Sequence, residues 1–283
     1  MRIPTLLVAF AVAFPLTSAA EGDSPWLPIP GQYALSASYT QETAKEGYVG
    51  TTKLSISAIT GGAATEFKRT TTRIGINYGF RDAVSFDASV GYGDVEVGSA
   101  DSDSGVLDSV VGVKWRVVDE YVVDMFPTIT LRGAAIINGN YDGGRLGGLG
   151  NDANGYELAA IVGKQFNNMF SLSGEVAVQN RSNNVPNATS LEVGAQYHFA
   201  LRWSASAGYS SKKYGGDLDI GATEFTASRF QEVRDEHKLA KLSIGYAVAH
   251  NQGVTLNLAK SVGSGRNSVV DDQVVGVSYT YAL

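Results

Sequence analysis

Residues 69–81 read RTTTRIGINYGFR, and the alternation within them decides the fold. Ile74, Ile76, Tyr78 and Phe80 occupy every second position, whereas the odd-numbered positions hold arginine, threonine, asparagine and glycine. Successive side chains point to opposite faces of a β-strand. The stretch therefore predicts one strand with an apolar face and a polar face.

The same alternation recurs along the rest of the chain. Residues 83–93 set Val84, Phe86 and Val90 opposite serine, aspartate and glycine, and residues 189–199 repeat the pattern. Twelve strands are predicted in all, at residues 31–41, 68–81, 83–94, 105–118, 121–137, 154–166, 168–181, 188–199, 201–212, 237–249, 252–262 and 271–283.

The links between these strands alternate in length. Short links lie around Arg81, Asp119, Asn167, Ala200 and Asn251. Longer links fall at 42–67, 95–104, 139–153 and 213–236, with shorter members at 182–187 and 263–270. One end with short turns and one with long loops is typical of a bacterial outer-membrane barrel. We predict an all-β, transmembrane, antiparallel up-and-down barrel of about 12 strands, with both termini periplasmic.

A soluble β-sandwich or lipocalin-like barrel is the alternative, and it would turn the apolar faces inward. Two features disfavour it. Aromatic residues concentrate at strand ends, as in interfacial girdles, and the other face carries charges that an apolar core could not bury. Those charges are Arg73, Asp87, Lys114, Arg116, Arg132, Glu157, Glu175 and Glu192. A barrel with lipid outside and a polar lumen accommodates them and leaves no open backbone edge in the membrane.

The N-terminal residues predict export. Arg2 precedes a short apolar core at residues 6–14, and Ser18, Ala19 and Ala20 supply small residues for a cleavage site. Residues 1–20 are therefore predicted to be a signal peptide, 21–30 a periplasmic extension, and 31–283 the barrel. Trp26 in the extension is expected to pack against the periplasmic mouth.

The last predicted strand also favours a location in the bacterial outer membrane. Val275, Val277, Tyr279, Tyr281 and Leu283 alternate up to the C-terminus, which resembles the signal read by the barrel-insertion machinery. The usual terminal residue of that signal is Phe or Trp, whereas this chain ends in Leu.

Composition excludes several other classes of function. The 283 residues include 33 glycines and no cysteine, and the formal net charge is −6. Disulfide frameworks and thiolate zinc sites are therefore absent, and the acidic balance disfavours nucleic-acid binding. The chain has three histidines, which disfavours a histidine-rich metal site, and no cofactor is expected.

The interior of such a barrel is narrow. Twelve strands spaced ~4.8 Å apart and tilted by ~40° give a backbone diameter of roughly 24 Å and a lumen of about 10 Å or less. The charged residues predicted to face it are Arg69, Arg73, Asp87, Asp108, Lys114, Arg116, Arg132, Glu157, Glu175, Glu192 and Lys241. They either form a structural ladder that fills the interior or line a selective constriction. Lumen-facing glycines likewise either ease curvature and make room for long neighbours or keep a path open.

Catalysis is a weak alternative. A lipase-type site needs serine, histidine and an orienting acid or amide together, and His237 is the histidine predicted to lie near an external loop. No catalytic residue is assigned. The loop at 213–236 carries mixed charge and is expected either to fold over the mouth as a lid or to be mobile.

The pattern resembles the outer-membrane transporters of the MetA-pathway of phenol degradation family. The resemblance covers most of the chain and rests on the entry at residues 27–31 (LPIPG), on 76–82 (INYGFRD) followed by Phe86, on 90–93 (VGYG), and on the C-terminal strand. It implies uptake of small, often aromatic or apolar compounds. The external loops are polar in sequence, and no apolar patch for capturing such compounds is evident in them.

The sequence thus predicts a barrel, expected to be a monomer, that passes a small solute through a narrow, charged lumen. A non-conducting structural barrel, or one that acts through its external loops, is the alternative. The expected partners are outer-membrane lipids and lipopolysaccharide, the barrel-insertion machinery during assembly, and the solute.

Overall fold

Twelve long antiparallel strands form a closed ring in the computed structural model, which describes residues 24–123, 125–143, 148–166, 169–270 and 273–283. The predicted signal peptide at 1–20 and the first residues of the extension lie outside the described residues. The described residues form sixteen strands, of which all but the short strands β2, β3, β6 and β15 belong to the ring. The strands are β1 (Tyr33–Ala44), β2 (Glu46–Val49), β3 (Thr52–Ser55), β4 (Phe67–Arg81), β5 (Val84–Val97), β6 (Asp101–Val106), β7 (Ser109–Val118), β8 (Thr128–Ile137), β9 (Gly155–Gln165), β10 (Phe170–Arg181), β11 (Ala188–Ala200), β12 (Trp203–Tyr214), β13 (Glu236–Ala249), β14 (Gln252–Ser261), β15 (Val269–Val270) and β16 (Gln273–Ala282).

The first and last strands close the ring. β1 pairs with β16 from Ala34 opposite Ala282 to Thr43 opposite Gln273, and with β4 on its other side. Each remaining barrel strand pairs with its neighbours in sequence. β6 pairs with β5 alongside β7, so the strand predicted at 105–118 is interrupted at Leu107 and Asp108. The predicted fold class is confirmed.

The two faces of the strands follow the sequence alternation. Ile74, Ile76 and Phe80 of β4 are 57%, 42% and 48% exposed on the outer surface. Inside the ring, by contrast, Lys114, Arg132 and other charged side chains are buried. The outer surface is therefore apolar and the interior polar, as predicted.

The connections also differ between the two ends. At the end that holds both described chain termini, which we call the termini end, turns of two to four residues join most strand pairs. At the opposite end, the loop end, β2, β3 and β15 form a small sheet beside helix α1 (Ile56–Ile59), and a 3₁₀ helix spans Ala227–Glu232. Which compartment each end faces stays a prediction.

One predicted strand is wrong in its first part. The prediction began the strand at 121, but β8 starts at Thr128, and residues 119–123 and 125–127 lie outside any strand, in turns and bends. Asp119 initiates this turn, because its carbonyl oxygen accepts hydrogen bonds from the backbone N–H groups of Val122 and Val123, both at 3.0 Å. The apolar side chains of the turn, including Val122 and Met125, point outward and are exposed.

The segment before β1 enters the termini end of the lumen. Pro25 is fully buried, and its carbonyl oxygen accepts a 2.7 Å hydrogen bond from Thr130 Oγ1. Further along, Gly31 N donates to Gly79 O at 2.7 Å. Glycine makes this approach feasible, because a Cβ on Gly79 would lie 2.6 Å from Pro28 O.

We predict that Gly79→Ala displaces this segment and destabilises the barrel by about 1–3 kcal/mol, since the added methyl group has no space. Gly133→Ala is the matched control, because its Cβ would meet only Leu158 Cδ2, at 3.7 Å. The measurement is the thermal unfolding midpoint in detergent, read from the shift in gel mobility. Equal midpoints for the two variants would contradict the prediction.

Candidate functional site

The middle of the lumen holds a layer of buried ion pairs centred on Arg132. Its Nη2 lies 2.6 Å from Asp87 Oδ2, and its Nη1 lies 2.6 Å from Glu157 Oε1. Gln179 Nε2 donates to the other oxygen of Glu157 at 2.5 Å. A planar guanidinium can donate to two carboxylates at once. Side chains from four strands (β5, β8, β9 and β10) are thereby linked in the interior.

Glycine makes room for this layer. A Cβ on Gly112 would lie 2.8 Å from Asp87 Oδ1 and 3.1 Å from Arg132 Nη2. Gly163 similarly leaves space for Pro25 and Trp26, since its Cβ would come within 2.5 Å of the proline ring. At these two positions, glycine therefore makes room for long neighbouring side chains and does not keep a path open.

A chamber of about 480 Å³ lies between this layer and the loops. Its upper wall is apolar. Ile56 and Phe67 belong to a buried hydrophobic cluster under the loops, and Ile59 and Leu149 pack against that cluster. Its floor is polar and charged. The sequence analysis saw no apolar patch in the loops; the structure corrects this, because residues far apart in sequence converge on the inside of the mouth.

A second, smaller cavity of about 80 Å³ lies below the chamber, toward the termini end. Serine and threonine hydroxyls dominate its wall, including Ser173, Ser206 and Thr255, and Trp26 forms part of it. Lys241 lines both cavities and is 4% exposed, and its Nζ lies 2.9 Å from Glu192 Oε2. The Lys241–Glu192 ion pair therefore stands where the two cavities meet.

Trp26 is fixed at the termini end by a buried acid. Its Nε1 donates to Glu120 Oε1 at 2.8 Å, and Glu120 Oε2 accepts from the backbone N–H of Gln165 at 2.9 Å. The expected packing of Trp26 at this mouth is found. Glu120, which the sequence analysis placed in a short turn, is the residue that holds it.

The loop at 213–236 folds over the mouth and is held by Asp219. This carboxylate accepts paired hydrogen bonds from Arg234 (3.0 and 2.5 Å) and Arg266 (2.7 and 2.7 Å), and one from Asn267 Nδ2 at 2.8 Å. Asn267 Oδ1 in turn accepts from the N–H of Gly50 at 2.7 Å. Asp219 therefore ties three loops together, and it was not distinguished in sequence from the other loop acids.

A second buried cluster holds the loop that carries Leu149. Asp108 accepts hydrogen bonds from Tyr141 Oη and Arg181 Nη1, each at 2.5 Å. Burial, followed by the hydrogen bond to Asp108, raises the pKa of Tyr141 far above its usual value of 10.0. The phenol stays protonated at neutral pH and acts as a donor, so this cluster is structural.

The remaining predicted lumen residues occupy different heights. Arg69 pairs with Glu42 at 3.1 Å near the loop end, and Arg73 lines the chamber. Arg116 instead lies at the termini end, 3.0 Å from Asp119, outside the central layer. Lys114 and Glu175 are buried within the ring. Whether any of these charges selects solutes stays a prediction.

A histidine lies at the chamber, and the described residues form no metal-binding group. His237 lines the chamber, and its Nε2 lies 3.1 Å from Ser261 Oγ. Within the described ranges, no three histidine or acidic side chains converge as metal ligands. None of the helices in this part of the chain has the length and apolarity needed to cross a bilayer.

A closed twelve-stranded ring with an apolar exterior and a charged interior is the fold of bacterial outer-membrane β-barrels. Residues 39–283 match the family described as "Putative MetA-pathway of phenol degradation", and the chain belongs to this family. The resemblance seen in the sequence is thereby confirmed. No match was found among curated proteins.

Solved structures show the same fold. The chain is similar to the COG4313 outer membrane channel from Pseudomonas putida F1, at 13% identity and a TM-score of 0.68, covering 94% of this chain and 100% of that one. The chain is also similar to the translocator domain of autotransporter NalP from Neisseria meningitidis, at 10% identity and a TM-score of 0.52, covering 89% of this chain and 88% of that one. The NanC porin is similar at 8% identity and a TM-score of 0.50, covering 86% of this chain and 98% of that one.

We predict that Arg132→Ala destabilises the barrel by about 3–5 kcal/mol, because it leaves two carboxylates without their guanidinium partner. Arg116→Ala removes the same side chain from a more exposed ion pair and should cost about 1 kcal/mol or less. Urea unfolding in detergent, followed by tryptophan fluorescence, measures both. Similar losses for the two variants would show that the central layer has no special weight.

We predict that acid loosens the mouth through Asp219. Hydrogen bonds from Arg266 and Arg234 hold the pKa of Asp219 well below its usual value of 3.8. A depressed pKa contributes stability above the unfolded-state value, and the contribution is lost as the pH falls below it. The protection of residues 215–235 against hydrogen exchange, measured relative to the intrinsic exchange rate at each pH, should therefore be high at pH 7 and fall below about pH 4.

The variant Asp219→Asn should show fast exchange already at pH 7, since a carboxamide cannot form the same charge-assisted bonds. Asp217→Asn, two residues away at an exposed position, is its control and should exchange like the parent protein. Slow exchange in Asp219→Asn at pH 7 would rule out the role given to Asp219.

Proposed function

We propose that this protein is an outer-membrane channel that passes a small solute from the chamber at the loop end to the termini end. The observation that carries the proposal is the stacking of two cavities along one lumen, with Lys241 lining both. The apolar wall formed by Ile56, Ile59 and Leu149 suits the apolar body of a solute, and aromatic compounds are one such class. The proposal assigns no catalytic residue.

The route is narrow at two heights. The first is the ion pair between Lys241 and Glu192, where a solute would have to displace one partner or pass beside it. The second is Trp26, held by Glu120 at the termini end. Charged side chains at a constriction select among solutes. These two places are therefore the proposed control points for passage.

The proposed orientation sets the loops outside the cell and both termini in the periplasm. Short turns at the termini end and long loops at the other support it, since outer-membrane barrels share this asymmetry. Outer-membrane lipid would contact the apolar exterior, and lipopolysaccharide would surround the loop end. The barrel-insertion machinery would read the C-terminal strand β16, and the protein would act as a monomer.

A non-conducting barrel is the second candidate. It is favoured by the buried layer around Arg132 and by the seating of Pro25 and Trp26 inside the lumen, which both fill the interior. In that case, the loops fixed by Asp219 would form the functional surface. The two candidates differ in whether ions cross the purified barrel.

Planar-bilayer recordings with paired tryptophan variants test the proposal. Trp26→Ala removes the side chain that lies in the lumen and should raise the unitary conductance by about twofold. Trp115→Ala removes a tryptophan that is 56% exposed on the outer face and should leave conductance unchanged. Silence of the parent protein and both variants would reject the channel and favour the non-conducting barrel.

A further inference from the structure

We infer that the chamber at the loop end is a binding site for small amphipathic organic anions, such as aromatic carboxylates. The inference deepens the proposed function, on which it rests in one respect: the chamber must be open to solutes. It follows from two properties of the same cavity, an apolar wall and an excess of cationic side chains among its lining residues.

The apolar wall is built from several loops. Ile56 and Ile59 come from α1, Leu149 from the loop before β9, and Ile220 and Phe230 from the loop fixed by Asp219. Phe67 extends the wall into the barrel. Burying an aromatic ring against such a surface contributes roughly 25 cal/mol for each Å² of apolar area removed from water. The wall therefore suits an organic body and gives a small inorganic ion no such contact.

The charges around the chamber are unequal. Among the described lining residues, five side chains are cationic and three are carboxylates. The cationic residues are Arg69, Arg73, Arg181, Lys212 and Lys241, and the carboxylates are Glu42, Asp108 and Asp235. Positive potential within a low-dielectric enclosure attracts anions and repels cations. An ammonium ligand is thus disfavoured at this floor.

Three of the cations are held in ion pairs that belong to the frame of the chamber. Arg69 is held by Glu42 at 3.1 Å and Arg181 by Asp108 at 2.5 Å. Lys241 is held at 2.9 Å by Glu192, whose carboxylate lines the second cavity. Lys212 differs from them, because its ammonium lies 5.2 Å from the ring centroid of Tyr214 at the chamber edge. A cation beside an aromatic ring can meet both parts of an aromatic carboxylate, its charge and its ring.

Asp235 does not cancel this charge fully. Its Oδ1 is buried and has no hydrogen-bond partner within the described part of the chain. Burial raises the pKa of Asp235 to about 6, and the charges of His237, Lys212 and Arg69 oppose that rise. Burial therefore favours the neutral form of the Asp235 carboxyl, so this acid opposes the positive charge of the floor less than an exposed carboxylate would.

Calorimetric titration of the detergent-solubilised full chain tests the inference, with three probes that share one ring. Benzoate should bind, and benzamide and benzylamine should bind about tenfold more weakly or not at all, a factor equivalent to about 1.4 kcal/mol. Lys212→Gln should weaken benzoate binding by about the same factor and leave benzamide unaffected. Lys212→Arg should retain binding.

Lys260→Gln is the matched control. Lys260 belongs to β14 and is exposed, next to Ala259, which lines the chamber, so the two side chains point to opposite faces of the strand. Its removal changes the net charge equally and should leave benzoate affinity unchanged. Equal losses for Lys212→Gln and Lys260→Gln, or equal binding of benzoate and benzamide, would overturn the inference.

Conductance in potassium chloride separates this inference from the proposed function, since it needs no organic solute. A barrel that conducts but does not prefer benzoate overturns the anion site and leaves the channel intact. A barrel that binds benzoate through Lys212 but never conducts supports the site and overturns passage.

Discussion

The constraint on which the whole structure depends is that a bilayer offers no hydrogen-bond partner to the backbone. The chain meets it by pairing every barrel strand on both sides, and the pairing of β1 with β16 removes the edge that an open sheet would leave. Because closure fixes which face looks outward, it also fixes the alternation of Ile74, Ile76 and Phe80 with polar residues. The charged interior is the other face of the same strands.

A ring of this size sets a second condition on its interior. Charges such as Arg132, Asp87 and Glu157 share a space from which bulk water is largely excluded, so each needs a partner at close range. Glycine at 112 supplies the room that the cluster requires. The unusual glycine content is explained in part by packing between large lumen side chains and in part by the seating of residues 25–29.

The fold could be predicted from the sequence because its main signal is local. In residues 69–81 the polarity of each residue indicates the face of the strand on which it lies, and β4 covers that stretch. The alternation mispredicts the start of β8, because backbone hydrogen bonds to Asp119 form a turn there. The apolar residues of that turn resemble the start of a strand in the sequence. The chamber could not be predicted, because Ile56, Leu149 and Phe230 meet only once the loops are folded.

The partners of the lumen charges show the same limit. The sequence analysis placed Lys241 and Glu192 in the lumen, but their pairing depends on the register between β11, β12 and β13. Asp219 had the same local appearance as Asp217, although one ties three loops together and the other is exposed. Alternation indicates the face on which a residue lies, whereas tertiary pairing determines its role.

The seating of the N-terminal segment has a consequence for the order of assembly. Pro25 and Trp26 precede β1, yet they contact Thr130 of β8, Gly163 of β9 and Glu120 before β8. Those partners are synthesised about a hundred residues later, and they come together only when the middle of the ring has formed. These early residues are thus among the last to find their place, and their docking requires that β8 and β9 have already paired.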